Sequence, residues 1–364
     1  MKRLFLLLLC ILSAFSGCNE SKEEIKIGFV AGLSGKYSSL GTSIRDGFML
    51  AFDEKNYTIN GQKVKIIQRD DKQDKNEAKK AIDFFIKNNI KIVVGHATSS
   101  MTAVSFPIVN KQKGMLLFSA AASSSEFSKQ DDNFIRIQVE PATKGYQDLL
   151  DYLKNKNYKN IYLIYDSKNI KYVQGYTKTF QNLFIKNGGN RFVGEFDINN
   201  NYNKLLNDLA SKEYDLILVV ANSIDSANVI QYLRHNNINT QILASGWAKT
   251  MDFITHGGKA VEGVLFATSY DETSTQKEFV DFVKKFKQKY HRTPSVFAAQ
   301  GYELATILIE NLEQSTDTNT LKQRILDKKI YKGLQGEIVF DKFGDIEREY
   351  FMMQIENGKY TRLK

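Results

Sequence analysis

Residues 90–100 have the sequence IKIVVGHATSS, and this stretch indicates the fold class of the chain. Ile90 to Val94 form a short, continuous apolar run, which is typical of a strand that is buried on both faces of a sheet. The polar residues after Gly95 predict a loop at the carboxyl end of that strand, and a helical pattern starts near Ala103. A buried strand, a polar loop and a helix in this order are the repeating unit of a parallel α/β sheet.

The same unit recurs in two successive series. The first series has predicted strands at 25–30, 64–67, 90–94 and 115–118, with helices at 43–54 and 76–87. The second has predicted strands at 161–165, 192–196, 215–220 and 241–244, with helices at 175–187, 202–211 and 226–235. Helices at 276–290 and 297–314 and a hairpin-like pair of strands near 336–340 and 350–354 follow. The predicted fold class is α/β with two Rossmann-like wound lobes, and no linker rich in Pro, Gly or Ser separates them.

The first residues have the pattern of a secretory signal. Lys2 and Arg3 form a short basic region, residues 4–11 are almost entirely apolar, and small residues lead to Cys18. We predict a signal peptide at residues 1–17 and a polar tether at 18–24. The segment FSGC resembles a bacterial lipobox, although Phe15 stands where Leu is preferred, and it makes Cys18 the predicted lipidation site. An ordinary signal peptide with a coincidental cysteine is the alternative.

Cysteine content agrees with a lipid anchor. The chain has two cysteines, and Cys10 lies within the predicted signal peptide, so the processed chain would keep only Cys18 and could form no internal disulfide. A lipid on Cys18 would hold the folded part at a membrane surface. After the signal, no apolar run approaches the length of a membrane-spanning helix.

The composition is that of a globular protein, with 42% hydrophobic and 25% charged residues. The net charge of +9 raises the question of nucleic acid. The lysines are scattered among acidic residues along the chain, however, and the secretory signal argues against such a partner. We therefore predict no nucleic-acid binding.

Motifs for catalysis are missing from the sequence. His96, His235, His256 and His291 have no metal-binding spacing and no acidic partner in a motif, and no nucleophile elbow, phosphate loop or dinucleotide fingerprint occurs. The pair Asp70-Asp71 could suggest a metal, but a solvated strand end is the favoured interpretation. We predict a protein that is not an enzyme and that holds no metal or cofactor.

Three polar loops follow predicted strands of the first series, at residues 31–35, 96–100 and 119–125. Ligands of wound sheets bind outside the carboxyl ends of the strands, where loop amides and hydroxyls can hold a carboxylate. Each loop alone could be an ordinary turn or helix cap. Together they favour one shared binding site.

At these residues the chain resembles the branched-chain amino-acid binding proteins of ABC importers, which have the type I periplasmic binding-protein fold. The similarity is strongest over residues 27–128, in GLSG (32–35), in IKIVVGHATSS (90–100) and in SAAAS (119–123). It continues more weakly through residues 215–220 and 333–345. The resemblance implies two lobes with a hinge and a ligand cleft between them. We expect lobe 1 at 25–140 and 270–334 and lobe 2 at 141–269 and 335–364, with crossings near Glu140, Ser269 and Gln335.

The resemblance also implies a set of ligand-binding residues. Ser99 and Ser123 would bind a ligand carboxylate, the Ala121 carbonyl would accept from an ammonium group, and Leu40 would border the ligand side chain. From the second lobe come Tyr172, Asn222 and Trp247, each of which could instead have an ordinary loop or packing role. One departure concerns the ligand: amino-acid binders carry an acidic residue after the strand at 241–244, whereas this chain has ASGWA at 244–248. Relatives can also carry a disulfide where Gln73 and Thr98 stand here.

The function that the resemblance implies is that of an extracytoplasmic solute-binding component of an ABC importer. The ligand would be a branched-chain type of amino acid or a related carboxylate or amide, bound without covalent change by a monomer. The partners would be that solute and a membrane permease. The protein would be located in the periplasm, where the lipid would anchor it to a membrane. A sensor of the same fold that serves a chemoreceptor or kinase is the first alternative, and an extracytoplasmic enzyme is the second.

Overall fold

The computed structural model describes residues 23–139 and 146–363, so the predicted signal peptide, Cys18 and the crossing near Glu140 lie outside the described residues. The described strands are β1 (Ile25–Ala31), β2 (Thr58–Ile59), β3 (Gln62–Asp70), β4 (Ile92–Gly95), β5 (Leu116–Ser119), β6 (Phe134–Arg136), β7 (Ile161–Tyr165), β8 (Gly194–Asp197), β9 (Leu216–Val220), β10 (Gln241–Ala244), β11 (Leu265–Thr268), β12 (Ile330–Gly333), β13 (Gly336–Phe340), β14 (Ile346–Glu347), β15 (Phe351–Glu356) and β16 (Lys359–Arg362). The described α-helices are α1 (Ser38–Glu54), α2 (Lys75–Lys87), α3 (Ser99–Val109), α4 (Gln147–Asn155), α5 (Ile170–Lys186), α6 (Asn203–Ala210), α7 (Ser223–His235), α8 (Met251–Gly257), α9 (Lys277–Tyr290), α10 (Val296–Gln314) and α11 (Leu321–Lys328).

The first lobe is built on a sheet of six strands in the order β2-β3-β1-β4-β5-β6. All neighbours are parallel except the β2–β3 hairpin. Every residue of β4 is buried, as its continuous apolar sequence predicts. Helix α2 begins where the Asp74 carboxylate accepts the N–H groups of Asn76 and Glu77 at 2.8 and 3.0 Å.

The second lobe is built on a sheet of seven strands in the order β16-β15-β11-β10-β9-β7-β8. Strands β7, β8, β9, β10 and β11 are parallel to one another, whereas β15 is antiparallel to β11 and β16 is antiparallel to β15. Strand β9 is buried at all five positions, in agreement with its sequence LILVV. The prediction of an α/β fold with two wound sheets is confirmed.

A small antiparallel sheet of β12, β13 and β14 corrects the expected boundary near Gln335. Strand β14 is followed by β15 of the second sheet, so the last crossing lies at residues 348–350. The small sheet belongs with the first lobe, because the Arg136 N–H donates to the Gly344 carbonyl at 3.1 Å and the Arg136 Nε donates to Asp345 at 2.7 Å. The hairpin predicted from residues 336–340 and 350–354 is also wrong, since β13 and β15 lie in different sheets.

After β11 the chain returns to the first lobe, where helix α10 packs closely against α1. Gly47 makes this contact possible, because a Cβ placed on it would lie 1.8 Å from the carbonyl oxygen of Ala298. The backbones therefore approach more closely than any residue with a side chain would permit. Over the described ranges, no helix is both long and apolar enough to cross a membrane.

Candidate functional site

A cavity lies between the two lobes, where the carboxyl ends of β4 and β5 of the first sheet face those of β10 and β11 of the second. Its empty volume, including the solvent-filled mouth, is about 600 Å³. Its described lining consists of Leu40, Ala97, Thr98, Ser99, Ala121, Ser123, Gln138, Val139, Tyr146, Asn169, Tyr172, Gly246, Trp247, Ala267, Thr268, Ser269, Val296, Phe297 and Tyr350.

Most of the residues that the sequence singles out are brought together here. Six of the seven candidates line this one cavity, from both lobes: Leu40, Ser99, Ala121, Ser123, Tyr172 and Trp247. Ser99 begins α3, four residues before the predicted helix start at Ala103. The amino end of α3 therefore lies at the cavity, where the helix dipole favours a negative charge.

Two serine hydroxyls have hydrogen-bonding capacity left for a ligand. The Ser99 Oγ accepts the N–H groups of Ser123 and Ser124, both at 3.2 Å, so its own proton can be donated elsewhere. Within the described residues no protein group accepts that proton, and the Ser123 Oγ has no hydrogen-bond partner there. Ser123 is nevertheless only 3% exposed. Both hydroxyls can serve a ligand in the cavity.

Arg136 fixes the serine loop from behind. Its NH1 donates to the Ser124 carbonyl at 2.9 Å, and its NH2 donates to the Ser128 hydroxyl at 2.6 Å. Its Nε donates to Asp345, as described above. Because Arg136 is 1% exposed, this fork of charge-assisted hydrogen bonds holds the loop in a fixed position.

Aromatic side chains form much of the remaining wall. The rings of Tyr172 and Trp247 meet edge to face at 5.8 Å, and the Tyr146 and Tyr350 rings lie 5.0 Å apart. Tyr37 stacks on Trp247 at 6.4 Å. Burial raises the pKa of Tyr146, Tyr172 and Tyr350 well above the usual value, so these hydroxyls remain protonated at neutral pH.

None of the described lining residues is Asp, Glu, Lys, Arg or His. The nearest charged groups along the chain are engaged elsewhere. Lys249, two residues after Trp247, is fully buried and paired with Glu272. Burial lowers the pKa of Lys249, and the Glu272 carboxylate opposes this effect. The Asp271 carboxylate accepts from Thr273 at 2.5 Å, and Arg362 approaches its other oxygen at 3.5 Å.

Several polar contacts join the lobes around the cavity. The Ser100 N–H donates to the Asn169 Oδ1 at 3.0 Å, and the Tyr37 hydroxyl donates to Asp166 at 3.0 Å. Two ion pairs also connect the lobes, Lys36–Asp225 at 2.7 Å and Lys171–Glu126 at 2.8 Å. The structure therefore has the lobes closed against each other.

Asn222 does not line the cavity, in contrast to its predicted role. Its Oδ1 accepts the N–H groups of Ile224 and Asp225 at 3.1 and 3.0 Å, which makes it the cap of α7. Its Nδ2 donates to the carboxylates of Asp225 and Asp166. Because both its oxygen and its nitrogen already have these partners, Asn222 is not part of the candidate site.

His96 has an acidic partner that the sequence did not reveal. Its Nδ1 lies 2.7 Å from the Asp71 Oδ2, and its Nε2 lies 2.7 Å from the Ser105 Oγ. The interpretation of Asp71 as a solvated strand end is wrong, because Asp71 is 1% exposed. His96 and Ser105 are completely buried, so no substrate can reach this chain of hydrogen bonds. Within the described ranges, no cluster of three or more His, Cys, Asp or Glu could hold a metal ion.

Other lining residues were missed by sequence reasoning. Tyr146 and Tyr350 flank the crossings, where only the three-dimensional path of the chain brings them to the cavity. Phe297 lies in the first turn of α10 and has the sequence appearance of a core residue. The remaining residues without a local sequence signal are Gln138, Asn169, Thr268 and Ser269.

Comparison with known proteins gives a consistent result. The sequence model of the family described as "Periplasmic binding protein" matches residues 24–359. The Leu/Ile/Val-binding protein of Escherichia coli (strain K12) is 24% identical over 346 residues, which cover 93% of this chain and 92% of that protein.

Solved structures share the fold. A leucine binding protein, LivK, from Thermotoga maritima has a TM-score of 0.85 at 23% identity, over 93% of this chain and 98% of that chain. A solute binding protein of an ABC transporter from R. palustris, in complex with benzoate, has a TM-score of 0.83 at 17% identity, over 93% and 95% of the two chains.

Proposed function

Because the chain belongs to the periplasmic binding protein family, we propose that it is the substrate-binding component of an ABC importer and encloses one small solute between its lobes. The observation that carries this proposal is the cavity to which both lobes contribute, with Ser99 and Ser123 on one side and Tyr172 and Trp247 on the other. Such a cavity buries most of a small ligand once the lobes close.

The chemistry of the lining suits a small molecule with one polar end and an apolar body. The hydroxyls of Ser99 and Ser123 and the amino end of α3 offer hydrogen bonds and a favourable field to a carboxylate or amide. Leu40, Val296 and Phe297 offer an apolar surface. Relatives that bind Leu, Ile and Val are consistent with a branched apolar body of similar size.

Lobe closure supplies the mechanism. The contacts between Ser100 and Asn169 and between Tyr37 and Asp166 form only when the lobes meet. A solute that touches both lobes adds its own contacts to the closed form and so shifts the population toward it. A permease can then distinguish loaded from empty protein by the relative position of the two lobes.

A periplasmic binding protein works outside the cytoplasm, and we propose further that the chain is tethered there by a lipid on Cys18 and acts as a monomer. The predicted signal peptide before Cys18 and the polar residues after it support the tether. Mass spectrometry of the intact protein tests this proposal. A mass that corresponds to cleavage before Cys18 with an added diacylglycerol is expected, and cleavage at another position without lipid would contradict it.

Binding is proposed to be reversible and to leave the solute unchanged. A sensor that passes the closed state to a receptor would use the same cavity and the same closure, so its cavity would behave identically. The two functions are separated by reconstituting transport with the cognate permease. An enzyme would instead return an altered solute, which mass spectrometry of the recovered ligand would detect.

The direct test is a thermal-shift screen with amino acids, amides and small aliphatic and aromatic carboxylates. A solute present at a thousandfold excess over its Kd adds about 4 kcal/mol to the free energy of unfolding. Ser123→Ala should weaken binding of that solute by about 1–3 kcal/mol, because a buried polar group of the ligand loses its partner. Ser211→Ala, at the far end of α6, is the matched control. Failure of every solute to stabilise the protein would refute the proposed function.

A further inference from the structure

We propose that the solute is a monocarboxylate that carries no ammonium group, and that Gly246 is the position that sets this preference. The inference rests on the function proposed above and names the ligand class of that same cavity. It follows from what the lining contains and from the space beside Gly246.

The described lining offers no countercharge to an ammonium group. Its polar side chains are all neutral: Thr98, Ser99, Ser123, Gln138, Tyr146, Asn169, Tyr172, Thr268, Ser269 and Tyr350. An ammonium group that loses its water in a closed cavity without a carboxylate partner is strongly disfavoured. An α-amino acid would have to bring such a group into this cavity.

Two nearby carboxylates, those of Glu272 and Asp166, have partners of their own, while the second oxygen of Glu272 is buried without a hydrogen-bond partner among the described residues. Glu272 is paired with Lys249, and Asp166 accepts from Tyr37 at 3.0 Å and from Asn222 at 3.3 Å. Neither acid belongs to the lining. Moving either one toward a ligand would leave a buried donor without its partner.

The carboxylate end of the solute has a defined place. The hydroxyls of Ser99 and Ser123 can both donate into the cavity, and α3 begins at Ser99, so the amino end of this helix lies on the same side of the cavity. These neutral donors suit a single negative charge. A dianion is disfavoured, because no Lys or Arg stands in the described lining.

Gly246 leaves open the position where a countercharge could stand. It follows β10 and lines the cavity. A Cβ on Gly246 would have only the Ala267 carbonyl oxygen nearby, at 4.0 Å, which is an ordinary contact. A Cβ can therefore be added at this position without displacing the backbone. Glycine here keeps the wall neutral.

The test compares ligands that differ only in the ammonium group. Calorimetry of the full chain with 4-methylpentanoate and leucine, and with 3-phenylpropanoate and phenylalanine, gives two matched pairs. In at least one pair, the ammonium-free member should bind at least 100-fold more tightly. If the screen finds another solute, it is compared with its own α-amino derivative in the same way.

Gly246→Asp and Gly246→Asn form the matched pair of variants. Gly246→Asp should increase affinity for the amino acid at least 10-fold and weaken the ammonium-free ligand, whereas Gly246→Asn, of the same shape but neutral, should do neither. Thermal melts of both variants without ligand check folding. If Gly246→Asp folds and leucine or phenylalanine gains no affinity, Gly246 is not the determinant.

Tighter binding of the amino acid by the unaltered chain would overturn the ligand class while leaving the proposed function intact. Glu140→Gln is then decisive for the source of the charge, since Glu140 follows Val139 in the chain and lies outside the described residues. Absence of binding by every solute in the screen would overturn the proposed function itself. The two failures are therefore distinguishable.

Discussion

The ion pairs between the lobes should make ligand affinity depend on groups that never touch the ligand. Lys171 lies at the start of α5, and its Nζ is 2.8 Å from the Glu126 carboxylate of the first lobe. This pair exists only when the lobes are closed, so its free energy adds to closure and hence to binding. Replacing Lys171 with Gln should raise the Kd without altering the cavity.

The size of the effect follows from the exposure of the pair. The side chains of Lys171 and Glu126 are 44% and 35% exposed, so solvent screens their attraction. Exposed pairs contribute about 0.2–1 kcal/mol, which corresponds to a Kd increase of about 1.4-fold to 5-fold. Lys36–Asp225 is less exposed on the acidic side, at 14%, and should lie near the upper end of that range. Removing both pairs should raise the Kd by at most about 25-fold, or roughly 2 kcal/mol.

The assay is calorimetry with the best solute of the screen, at low and at high salt. Because salt weakens exposed ion pairs, the Kd of the unaltered chain should rise with ionic strength, and the variant without both pairs should show a smaller rise. Lys178→Gln is the matched control, since Lys178 is an exposed residue of the same helix outside the described ion pairs. Equal Kd values for Lys171→Gln and Lys178→Gln would refute the role of the pair in closure.

Three further predictions concern stability. Arg136→Met should lower the free energy of unfolding by about 3–5 kcal/mol in urea denaturation, because the Asp345 carboxylate and the Ser124 carbonyl lose their charged donor. An effect below about 1 kcal/mol would show that the serine loop keeps its position without Arg136. Gly47→Ala should lower the free energy of unfolding by about 1–3 kcal/mol or more in the same assay, since the added Cβ would collide with the Ala298 carbonyl oxygen at the α1–α10 contact. An unchanged free energy of unfolding would contradict that close approach. Burial raises the pKa of Asp132 from 3.8 to about 6, so the folded state binds more protons than the unfolded state between these values and stability falls as the pH rises through this window. Asp132→Asn should therefore raise the melting temperature relative to the unaltered chain at pH 7.5 and much less at pH 4, and the same difference at both pH values would contradict the assignment.

The sheets and the serine side of the cavity could be predicted because their signals are local. Continuous apolar runs such as residues 216–220 identify buried parallel strands, and polar loops after such strands must lie at one edge of a sheet. The loops at residues 96–100 and 119–125 were predicted in this way, and the resemblance to a known family singled out Ser99 and Ser123 within them. The resemblance to a known family then supplied Leu40, Ala121, Tyr172 and Trp247.

The features that escaped prediction depend on contacts between distant residues. Asn222 has the sequence context of a loop residue after a strand, and only the structure shows that its amide caps α7. Strand β13 has the same apolar alternation whichever sheet it joins, so its pairing with β12 and the crossing after Glu347 could not be predicted from residues 335–364 alone. Asp71 and His96 are 25 residues apart, and their pairing follows from the adjacency of β3, β1 and β4.

If one small solute binds in the cavity between the lobes, the emission of Trp247 should respond to it. Trp247 is the only tryptophan of the chain and lines that cavity, so its fluorescence reports on the site without an added label. Titration with the best solute should give a saturable change in Trp247 emission at one solute per chain. Ser123→Ala should move the midpoint to higher solute concentration. Heat of binding in calorimetry without any change in Trp247 emission would place the solute outside the cavity and contradict binding between the lobes.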